Sequence, residues 1–592
     1  MKEFVKTTLA VMCGVFIMGI VGMVIMISFI GALAASGDSK PVLPRSGVLQ
    51  MDMSQFMLSE QAGADLDIQS MMGGSSLPKV GIWNAVQAIN AAAADAGVKY
   101  IFIKPDGLSA DLAQLEEVRK ALANFRLSGK PVISYIESPS TASYYIASVA
   151  DKVYMSSNAG ASPMITGIGS QMFFLKDLLD KLGVNVQLIR HGKYKSAGEM
   201  FIKNSPSPEN LEQNQVMINS IWNAVAEEVA KSRNITAEAF STMIDDLELN
   251  DATDMVRHYL VDEIMDKEGL KNKLAALAVV DDFSDVKMIP FADYASVKGS
   301  GNLTSKKKIA VVYASGDIVD GYGSANVAGD RFASVLAKIR KDESVKAVVL
   351  RVASPGGSVL GSDKIKSEID LLRAEKPVIA SYGSYAASGG YWISASCDRI
   401  FSDNTTLTGS IGCFSMIPDV SKTAKDLLHV GVTLVGSSRH SGMYSLMKPL
   451  DEQEMAYMQK SIETIYSQFV STVSEGRDLS PEFVDSIAQG RVWTGSDALG
   501  IGLVDAIGTL EDAVGYAALT AGDQDLAAWT VESYPKPLSF MESIMESFGS
   551  GMKQDEVFAG TPFKAIEKAF KGWDWESSEH TFARMPYEIV LE

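Results

Sequence analysis

The sequence KPVIASYGSYAASGGYWISASCDRIFS, residues 376–402, resembles KPVISYIESPSTASYYIASVADKVYMS, residues 130–156. In both stretches an apolar run rich in β-branched residues is followed by turn residues and then by a helix-compatible segment. Farther along the chain, YLVDEI at Tyr259 matches GLVDAI at Gly502 in the same order. The offset of roughly 245 residues is much longer than a solenoid repeat, so the sequence predicts two copies of a whole domain.

Each copy has the pattern of an α/β domain. In the second copy, KKIAVVYASG at Lys307 and VKAVVLRVASPGG at Val345 are short apolar runs that predict buried strands. GSDKIKSEIDLLRAE, which begins at Gly361, has the apolar spacing of a helix. Because strands that alternate with helices form parallel sheets covered by helices, we predict two tandem α/β domains.

The composition excludes several classes of protein. A hydrophobic content of 47% and a charged content of 21% are typical of a folded chain, and 592 residues exceed what one core can organise. The net charge of −19 argues against a nucleic-acid partner. Five histidines and three cysteines show no metal-ligand spacing, so we expect no metal and no cofactor. Cys397 and Cys413 could pair in an oxidising compartment, but the burial habits of cysteine favour two isolated thiols.

The N-terminus predicts a membrane anchor. Residues 8–35 carry no charged side chain, and a helix needs only about 20 residues to cross a bilayer. ALAAS at residues 32–36 resembles a signal-peptide cleavage site, but the apolar run is longer than a signal peptide requires. Lys2 and Lys6 precede it and favour a cytoplasmic N-terminus. We therefore expect an uncleaved anchor that enters the lipid bilayer through residues 8–35, with the rest of the chain outside the cytoplasm.

The repeat and the anchor divide the sequence into four segments. The polar stretch NLTSKKKIA follows a glycine and places one boundary near Ser300, and the repeat ends near Tyr534. The predicted segments are a cytoplasmic N-terminus with the transmembrane anchor (1–36), a first repeat (37–300), a second repeat (301–534) and a C-terminal tail (535–592).

The two copies differ at the turn that contains Ser388. Aligned from the end of each stretch, Thr141 falls opposite Ser388, while Ala142 and Ser143 fall opposite two glycines. Upstream, VASPGGSV at 352–359 matches KPDGLSA, which lacks the double glycine. If the glycines served only the turns of the fold, both copies would keep them. One active site per chain, in the second copy, is the prediction.

A serine beside glycines suits the stabilisation of a reacting carbonyl. Glycine after a strand lets backbone N–H groups face a substrate without an intervening Cβ. Donors from Gly356, Gly357 and Gly389 could hold an oxygen that gains charge in the transition state, and losing one such donor lowers the rate by about 10²–10³. A helix that begins at Ser388 adds the positive end of its dipole. These features predict a nucleophilic serine with an oxyanion hole.

The lysine pattern mirrors the serine pattern. RHGKYKSAGEMF at Arg190 matches RHSGMYSLMKP at Arg439, and Ser445 stands where the first copy has Lys195. The pKa of a lysine that acts as a base must fall from about 10.4 towards neutrality, which burial can achieve. We therefore predict a Ser–Lys dyad split between the repeats.

Several motifs together resemble the long, two-repeat form of the signal peptide peptidase A (protease IV) family. The motifs are SYAASGGYWIS, SPGGSV, TLTGSIG, YKSA and AQGRVWTGSDALGIGLVDAIG. The resemblance implies two ClpP/crotonase-like domains built from ββα units. By this resemblance Ser388 is the nucleophile, Lys195 the general base and Ser410 the hydroxyl that orients the lysine amine.

The same resemblance implies how the protein works in the cell. It suggests a serine endopeptidase that degrades cleaved signal peptides in their apolar segments. It further implies a homotetramer on the inner (cytoplasmic) membrane, with the catalytic domains in the periplasm and no cofactor.

Three other interpretations remain open from the sequence. A Ser-His-Asp peptidase would use His429 or His440 and would keep its activity in Lys195→Ala. Acyl-CoA chemistry of the crotonase type shares the two-glycine oxyanion hole, but coenzyme A is not expected outside the cytoplasm. A catalytically inert membrane scaffold would lack a member of the dyad, whereas Ser388 and Lys195 are both present.

Overall fold

The computed structural model of the chain describes residues 41–62, 77–323, 326–536 and 581–585, together with a few isolated positions before residue 41. Almost all of the predicted anchor, residues 8–35, lies outside the described residues. Within the described ranges, no helix combines the length and the apolar character that a bilayer span requires.

The first repeat is built on a six-stranded sheet in which every pair of neighbours is parallel. Its strands and the neighbouring short strands are β1 (Gly47–Asp52), β2 (Met57–Ser59), β3 (Lys79–Gly81), β4 (Val98–Lys104), β5 (Val132–Ile136), β6 (Lys152–Ser156), β7 (Asn185–Arg190), β8 (Glu263–Met265) and β9 (Met288–Pro290). The sheet order is β8-β6-β5-β4-β1-β9, and β2 pairs with β3 separately.

The helices of the first repeat connect these strands. They are α1 (Ile82–Ala94), α2 (Leu112–Arg126), α3 (Thr141–Ala147), α4 (Lys176–Leu182), α5 (Glu199–Ile202), α6 (Pro208–Arg233), α7 (Ala237–Asp245), α8 (Ala252–Arg257), α9 (Lys267–Ala278) and α10 (Phe291–Lys298). Helix α6 shows how local sequence sets the boundaries. Ser207 caps its first turn, a proline occupies its first position, and Asn234 ends it in a left-handed conformation.

The second repeat contains a larger sheet of the same kind. The remaining strands are β10 (Lys308–Ser315), β11 (Ile318–Val319), β12 (Val327–Ala328), β13 (Val345–Ser354), β14 (Gly356–Ser358), β15 (Val378–Ala387), β16 (Arg399–Ser402), β17 (Leu407–Gly409), β18 (Phe414–Asp419), β19 (Val492–Thr494), β20 (Ala506–Ile507), β21 (Thr530–Tyr534) and β22 (Thr581–Arg584). The sheet order is β19-β17-β15-β13-β10-β21, with β16 beside β15 and β20 beside β16. Its pairs are parallel except β17 with β19.

The helices of the second repeat likewise connect its strands. They are α11 (Gly329–Lys341), α12 (Val359–Arg373), α13 (Gly389–Ser394), α14 (Glu452–Arg477), α15 (Pro481–Ile487), α16 (Gly495–Gly500) and α17 (Leu510–Thr520). Helix α14 matches α6 in length, at 26 residues each. The predicted α/β class, the parallel sheets and the internal repeat are confirmed.

The core explains why the strand sequences are so apolar. In β13, Val348, Val349 and Leu350 are consecutive and all fully buried. A parallel sheet covered by helices on both faces buries successive side chains on each side, so its strands are continuous apolar runs.

A third sheet joins the two repeats, in the order β12-β11-β14-β22-β18-β7. Strand β7 of the first repeat pairs antiparallel with β18 of the second, from Arg190 opposite Phe414 to Asn185 opposite Asp419. This pairing places the loop that follows β7 against the second repeat. It positions the lysine of one copy beside the serine of the other.

A buried ion cluster also connects the repeats. Arg351, on β13, is fully buried, and its guanidinium lies 2.7 Å from Glu60 Oε2 and 2.6 Å from Glu117 Oε1. Both carboxylates belong to the first repeat. Removing one partner of a buried ion pair leaves an uncompensated charge, so this cluster resists separation of the repeats.

Candidate active site

Ser388 lies in a sharp turn between β15 and α13. Its backbone has φ of +56° and ψ of −112°, a region that residues with a side chain rarely occupy and that costs about 1–3 kcal/mol. The Ser388 N–H donates to the Gly409 carbonyl over 2.8 Å, and its own carbonyl accepts from Trp392 N–H over 2.8 Å. These bonds hold the strained turn and aim the hydroxyl towards the first repeat.

Lys195 lies in the loop after β7 and is fully buried. Its carbonyl accepts a hydrogen bond from the Arg190 guanidinium over 2.6 Å. Its Nζ lies 2.8 Å from Ser388 Oγ, 2.9 Å from the Ser410 carbonyl oxygen and 3.0 Å from Ser410 Oγ. The structure therefore brings the three predicted residues together, within a single chain.

The surroundings of the lysine favour its neutral form. Burial lowers the pKa of Lys195 to about 7 because an ammonium ion loses its hydration there. The Lys195 Nζ donates hydrogen bonds to two hydroxyl oxygens and one carbonyl oxygen, which carry no formal negative charge. A large fraction of this amine is therefore neutral at physiological pH and can accept a proton.

Ser410 occupies the turn after β17, also with a positive φ, of +49°. Its N–H donates to the Arg491 carbonyl over 2.7 Å, which anchors the turn to the following segment of the second repeat. Both its carbonyl and its hydroxyl face the lysine amine. This geometry fits the orienting position that the family resemblance implies.

The three predicted oxyanion glycines converge beside the serine. Gly356 and Gly357 have φ values of +101° and +151°, and Gly389 begins α13. A Cβ on Gly356 would lie 2.7 Å from the Gly389 nitrogen, and a Cβ on Gly357 would overlap the Ile318 carbonyl oxygen. Only glycine fits this arrangement, because a side chain would fill the space or block the N–H groups.

Two glycines that pack against Lys195, Gly490 and Gly412, were not predicted from the sequence. Gly490, with φ of +81°, is so close that a Cβ on it would lie 2.6 Å from the Lys195 nitrogen, and a Cβ on Gly412 would lie 3.5 Å from Lys195 Cδ. Gly490 is part of the motif AQGRVWTG, and an isolated glycine within a strand-like stretch is a recognised sign of close backbone approach. The sequence therefore marks Gly490 as a position of close approach but does not show that the neighbouring residue is Lys195.

A buried glutamate that sequence reasoning also missed supports the lysine loop. Glu199 accepts hydrogen bonds from the Ser207 N–H over 3.1 Å and from the Arg190 guanidinium over 3.2 Å. Arg190 in turn holds the Lys195 carbonyl. A glutamate directly after Gly198 has no local pattern that reveals such a role.

The histidines do not join this site. His429 is exposed, and His440 Nδ1 lies 3.1 Å from Glu454 Oε1. Within the part of the chain that the structure describes, neither is hydrogen-bonded to Ser388. His440, Asp451 and Glu454 have ligand atoms close enough for a metal ion, but the Lys448 ammonium group lies 2.8 and 2.7 Å from the two Glu454 oxygens and already supplies a cation there.

Cys397 and Cys413 are both free and buried, which confirms the interpretation of two isolated thiols. Burial raises the pKa of each thiol to about 12. Neither is therefore a thiolate nucleophile at neutral pH.

A buried serine hydrogen-bonded to a buried lysine at a strand–turn–helix junction, with Gly356 packed against Gly389 beside it, defines an α/β serine hydrolase. Comparison with known proteins narrows this class. Residues 124–281 and 370–522 match Peptidase family S49. The chain belongs to this family and is a serine protease with one family domain in each repeat.

Individual relatives match over most of the chain. It is 35% identical to Protease 4 of Haemophilus influenzae over 84% of this chain and 82% of that protein. It is 35% identical to Protease 4 of Salmonella typhi over 82% of this chain and 79% of that protein. It is also 28% identical to the chloroplastic serine protease SPPA of Arabidopsis thaliana, over 81% of this chain and 71% of that protein. The predicted resemblance is confirmed.

Proposed function

We propose that this serine protease is a membrane-anchored endopeptidase that uses a Ser388–Lys195 dyad to cut apolar peptides, including signal peptides already released from their proteins. One observation carries the proposal: Lys195 Nζ lies 2.8 Å from Ser388 Oγ. Burial lowers the pKa of that amine to about 7. A neutral amine within hydrogen-bond reach of a hydroxyl is what a general base requires.

The proposed reaction is acyl transfer through a covalent intermediate. Neutral Lys195 takes the proton of Ser388 as its Oγ attacks the scissile carbonyl carbon. Backbone N–H groups near Gly356, Gly357 and Gly389 stabilise the oxyanion. Lys195 then protonates the leaving amine. A water molecule, deprotonated by the same lysine, hydrolyses the acyl-enzyme and restores the serine.

Hydrolysis of a fluorogenic apolar peptide tests this dyad. The full chain in detergent is compared with Lys195→Ala, with Ser388→Ala as the blank. The Lys195→Ala rate is expected to equal the blank while circular dichroism shows a folded chain. A Lys195→Ala rate near that of the wild type would assign the base to another residue and reopen the histidine interpretation.

The membrane anchor is part of the proposal. Its support is the uncharged stretch of residues 8–35 with Lys2 and Lys6 before it. The proposed location is the inner membrane, with both repeats in the periplasm. Protease added to intact spheroplasts is expected to degrade the repeats, whereas their protection would contradict this orientation.

We also propose that the protein forms a homotetramer. The strand pairing that joins the two repeats within one chain supports this proposal. Within the chain, β7 of the first repeat pairs with β18 of the second. Because Arg190 matches Arg439, the second-repeat counterpart of β7 is residues 434–439, which belong to no described strand. Leu434 and Val435 in this segment are 56% and 91% exposed, and Val432 just before it is 54% exposed. Exposed apolar segments that can form a strand are typical sites of pairing with another chain.

The complementary segment is in the first repeat. TGIG at Thr166 matches TGSIG at Thr408, so residues 170–174 are the counterpart of the start of β18. They too lie in no described strand, and Phe173 is 45% exposed. The exposed segment of one chain can therefore pair with residues 170–174 of the next chain, in the same way as β7 pairs with β18 within one chain. Such a head-to-tail contact generates a closed ring when the rotation closes.

A charged substitution tests this contact. Leu434→Asp is expected to convert the oligomer into smaller species, measured by light scattering in detergent. The matched control is Leu127→Asp, which changes an 85% exposed leucine outside the contact. Equal masses for both variants would contradict the proposed joint.

A further inference from the structure

The buried side chain of Gln213, in α6 of the first repeat, contacts the residues on both sides of Lys195. Gln213 Nε2 donates to the Tyr194 carbonyl over 3.0 Å and to Ser196 Oγ over 3.1 Å. Tyr194 and Ser196 are the neighbours of Lys195 in the chain. One amide group therefore holds the backbone before the lysine and the side chain after it.

The same amide also contacts the second repeat. The Val492 N–H donates to Gln213 Oε1 over 3.3 Å. Val492 is the first residue of β19 and pairs with Gly409 of β17. The Gly409 carbonyl in turn accepts the Ser388 N–H over 2.8 Å. A short series of contacts thus connects the neighbours of Lys195, through Gln213, to the turn that holds Ser388.

The chemistry of an amide suits these three contacts. The Tyr194 carbonyl can only accept a hydrogen bond and the Val492 N–H can only donate one, so the orientation of the Gln213 amide is fixed by its partners. A carboxylate in this place would have no donor for the carbonyl. Removing the amide leaves buried polar groups of both repeats without this partner, which costs free energy and loosens the contact between them.

The second repeat has no such amide at the matching position. Helices α6 and α14 have the same length and follow the capping residues Ser207 and Asp451. Counted from these caps, Gln213 falls opposite Tyr457, whose side chain is exposed. The repeat that supplies the lysine is therefore the repeat that has the buried glutamine.

We propose that Gln213 is a positioning residue for the general base, and that its amide keeps Lys195 within reach of Ser388. This inference rests on the proposed Ser–Lys function. A lysine amine is carried on a long, flexible stem, so its position depends on a backbone that is held in place. Without the amide, the loop that carries Lys195 can shift relative to β19. A displacement of about 1 Å at a reacting group lowers the rate by about 10².

Kinetics of Gln213→Leu, measured on the full chain in detergent, test the inference. The kcat for the fluorogenic apolar peptide is expected to fall roughly 30- to 100-fold. KM is expected to stay within about twofold of the wild type, because the amide contacts the residues beside Lys195 and β19 and acts on the base rather than on peptide binding. A wild-type kcat in Gln213→Leu, or a change confined to KM, would overturn the inference.

A matched buried glutamine separates positioning from a general loss of stability. Gln114 is also buried in the first repeat, and its Nε2 donates to Glu60 Oε1 over 3.0 Å. Gln114→Leu is expected to lower the melting temperature as Gln213→Leu does but to leave kcat unchanged. Equal losses of kcat in the two variants would show that Gln213 acts only through stability and would overturn the positioning role.

Ser196→Ala is a milder variant, which removes one of the three hydrogen bonds of the amide. Alone, it is expected to lower kcat about two- to fivefold. Combined with Gln213→Leu, it is expected to lower kcat no further, because two groups that act through one contact are not additive. Losses that multiply in the double variant would overturn the inference.

Lys195→Ala in the same series distinguishes failure of this inference from failure of the proposed function. If Lys195→Ala is inactive while Gln213→Leu keeps the wild-type kcat, the role of Gln213 is overturned and the dyad stands. If Lys195→Ala keeps the wild-type rate, the dyad is overturned and the role of Gln213 with it.

Discussion

The turn before the short helix α3 in the first repeat and the turn before α13 in the second have different backbone conformations. In the first repeat, Ser140 caps α3 with φ of −77°, and its Oγ accepts a hydrogen bond from the Ser143 N–H. In the second, Ser388 precedes α13 with φ of +56° and makes no cap hydrogen bond. One turn is relaxed and satisfied, and the other is strained. Strain that only one copy retains marks the copy in which the turn has a chemical role.

The lysine loops show the reverse difference. Lys195 is buried between the repeats and reaches Ser388, whereas Ser445, its counterpart, makes a local turn by accepting from the Met447 N–H. Each repeat thus contributes one half of the proposed dyad. Duplication of the domain let the two copies specialise, one around the serine and the other around the lysine.

The largest expected change in kcat is at the turn of the second repeat, and no such change is expected at the turn of the first. Ser388→Ala removes the nucleophile and should lower kcat by about 10⁵–10⁶, the loss typical of a serine protease without its serine. Thr141→Ala, one residue after the Ser140 cap and opposite Ser388 in the aligned sequences, removes a hydrogen bond to the Gly167 carbonyl. It should cost about 1 kcal/mol of stability and leave kcat unchanged. Peptide hydrolysis and thermal denaturation measure both. A large loss of kcat in Thr141→Ala would show that the first turn also takes part in the reaction.

The next effect concerns the glycines of the two upstream loops. Gly356→Ala introduces a Cβ 2.7 Å from the Gly389 nitrogen and should lower kcat by about 10²–10³. Gly107→Ala is the control in the first repeat, where the nearest atom to the new Cβ is Ser54 Cβ at 3.4 Å. It should affect stability alone, because Gly107 also has a positive φ. Equal kcat values for both variants would argue against the oxyanion assignment.

The pH dependence follows from the buried lysine. Burial lowers the pKa of Lys195 to about 7, and only its neutral form can take the serine proton. The rate should therefore be low in acid, rise about tenfold per pH unit below pH 7 and level off above it. A pH–rate profile of kcat with the wild type measures this. A rate that falls between pH 6 and pH 8 would be incompatible with a neutral lysine base.

The smallest expected effect is at the orienting residue. Ser410→Ala removes the hydroxyl 3.0 Å from Lys195 Nζ but keeps the carbonyl at 2.9 Å. One lost hydrogen bond of about 1–1.5 kcal/mol corresponds to a decrease in kcat of roughly tenfold. KM should stay the same, since Ser410 faces the lysine rather than the peptide slot. A change confined to KM would place Ser410 in substrate binding instead.

Local patterns were sufficient to predict much of the molecule. The helix predicted at Gly361–Glu375 is observed at Val359–Arg373, because its apolar spacing and its flanking strands fix it. Comparison of the repeats located Ser388 and Lys195 because a duplicated domain supplies its own reference. The structure brings these side chains together.

The pairing of strands that are far apart in the chain could not be predicted from the sequence. Ser388 and Lys195 meet only because β7 pairs with β18, and no local pattern specifies that partnership. Gly490 shows the same limit, since its close approach to Lys195 depends on the fold of the other repeat. Strand β22 lies beside β14 through a pairing of backbone edges that appear only in the folded chain.

Mixing two inactive chains tests the central claim, that the two repeats of one chain form one dyad, most directly. Ser388→Ala and Lys195→Ala chains are co-expressed and purified together, and peptide hydrolysis is compared with each variant alone. Co-expression of wild type with Ser388→Ala confirms that subunits mix. No restored activity is expected, because every chain then lacks one half of its own dyad. Activity well above both variants would show that the serine and the lysine meet across a subunit boundary and would contradict it.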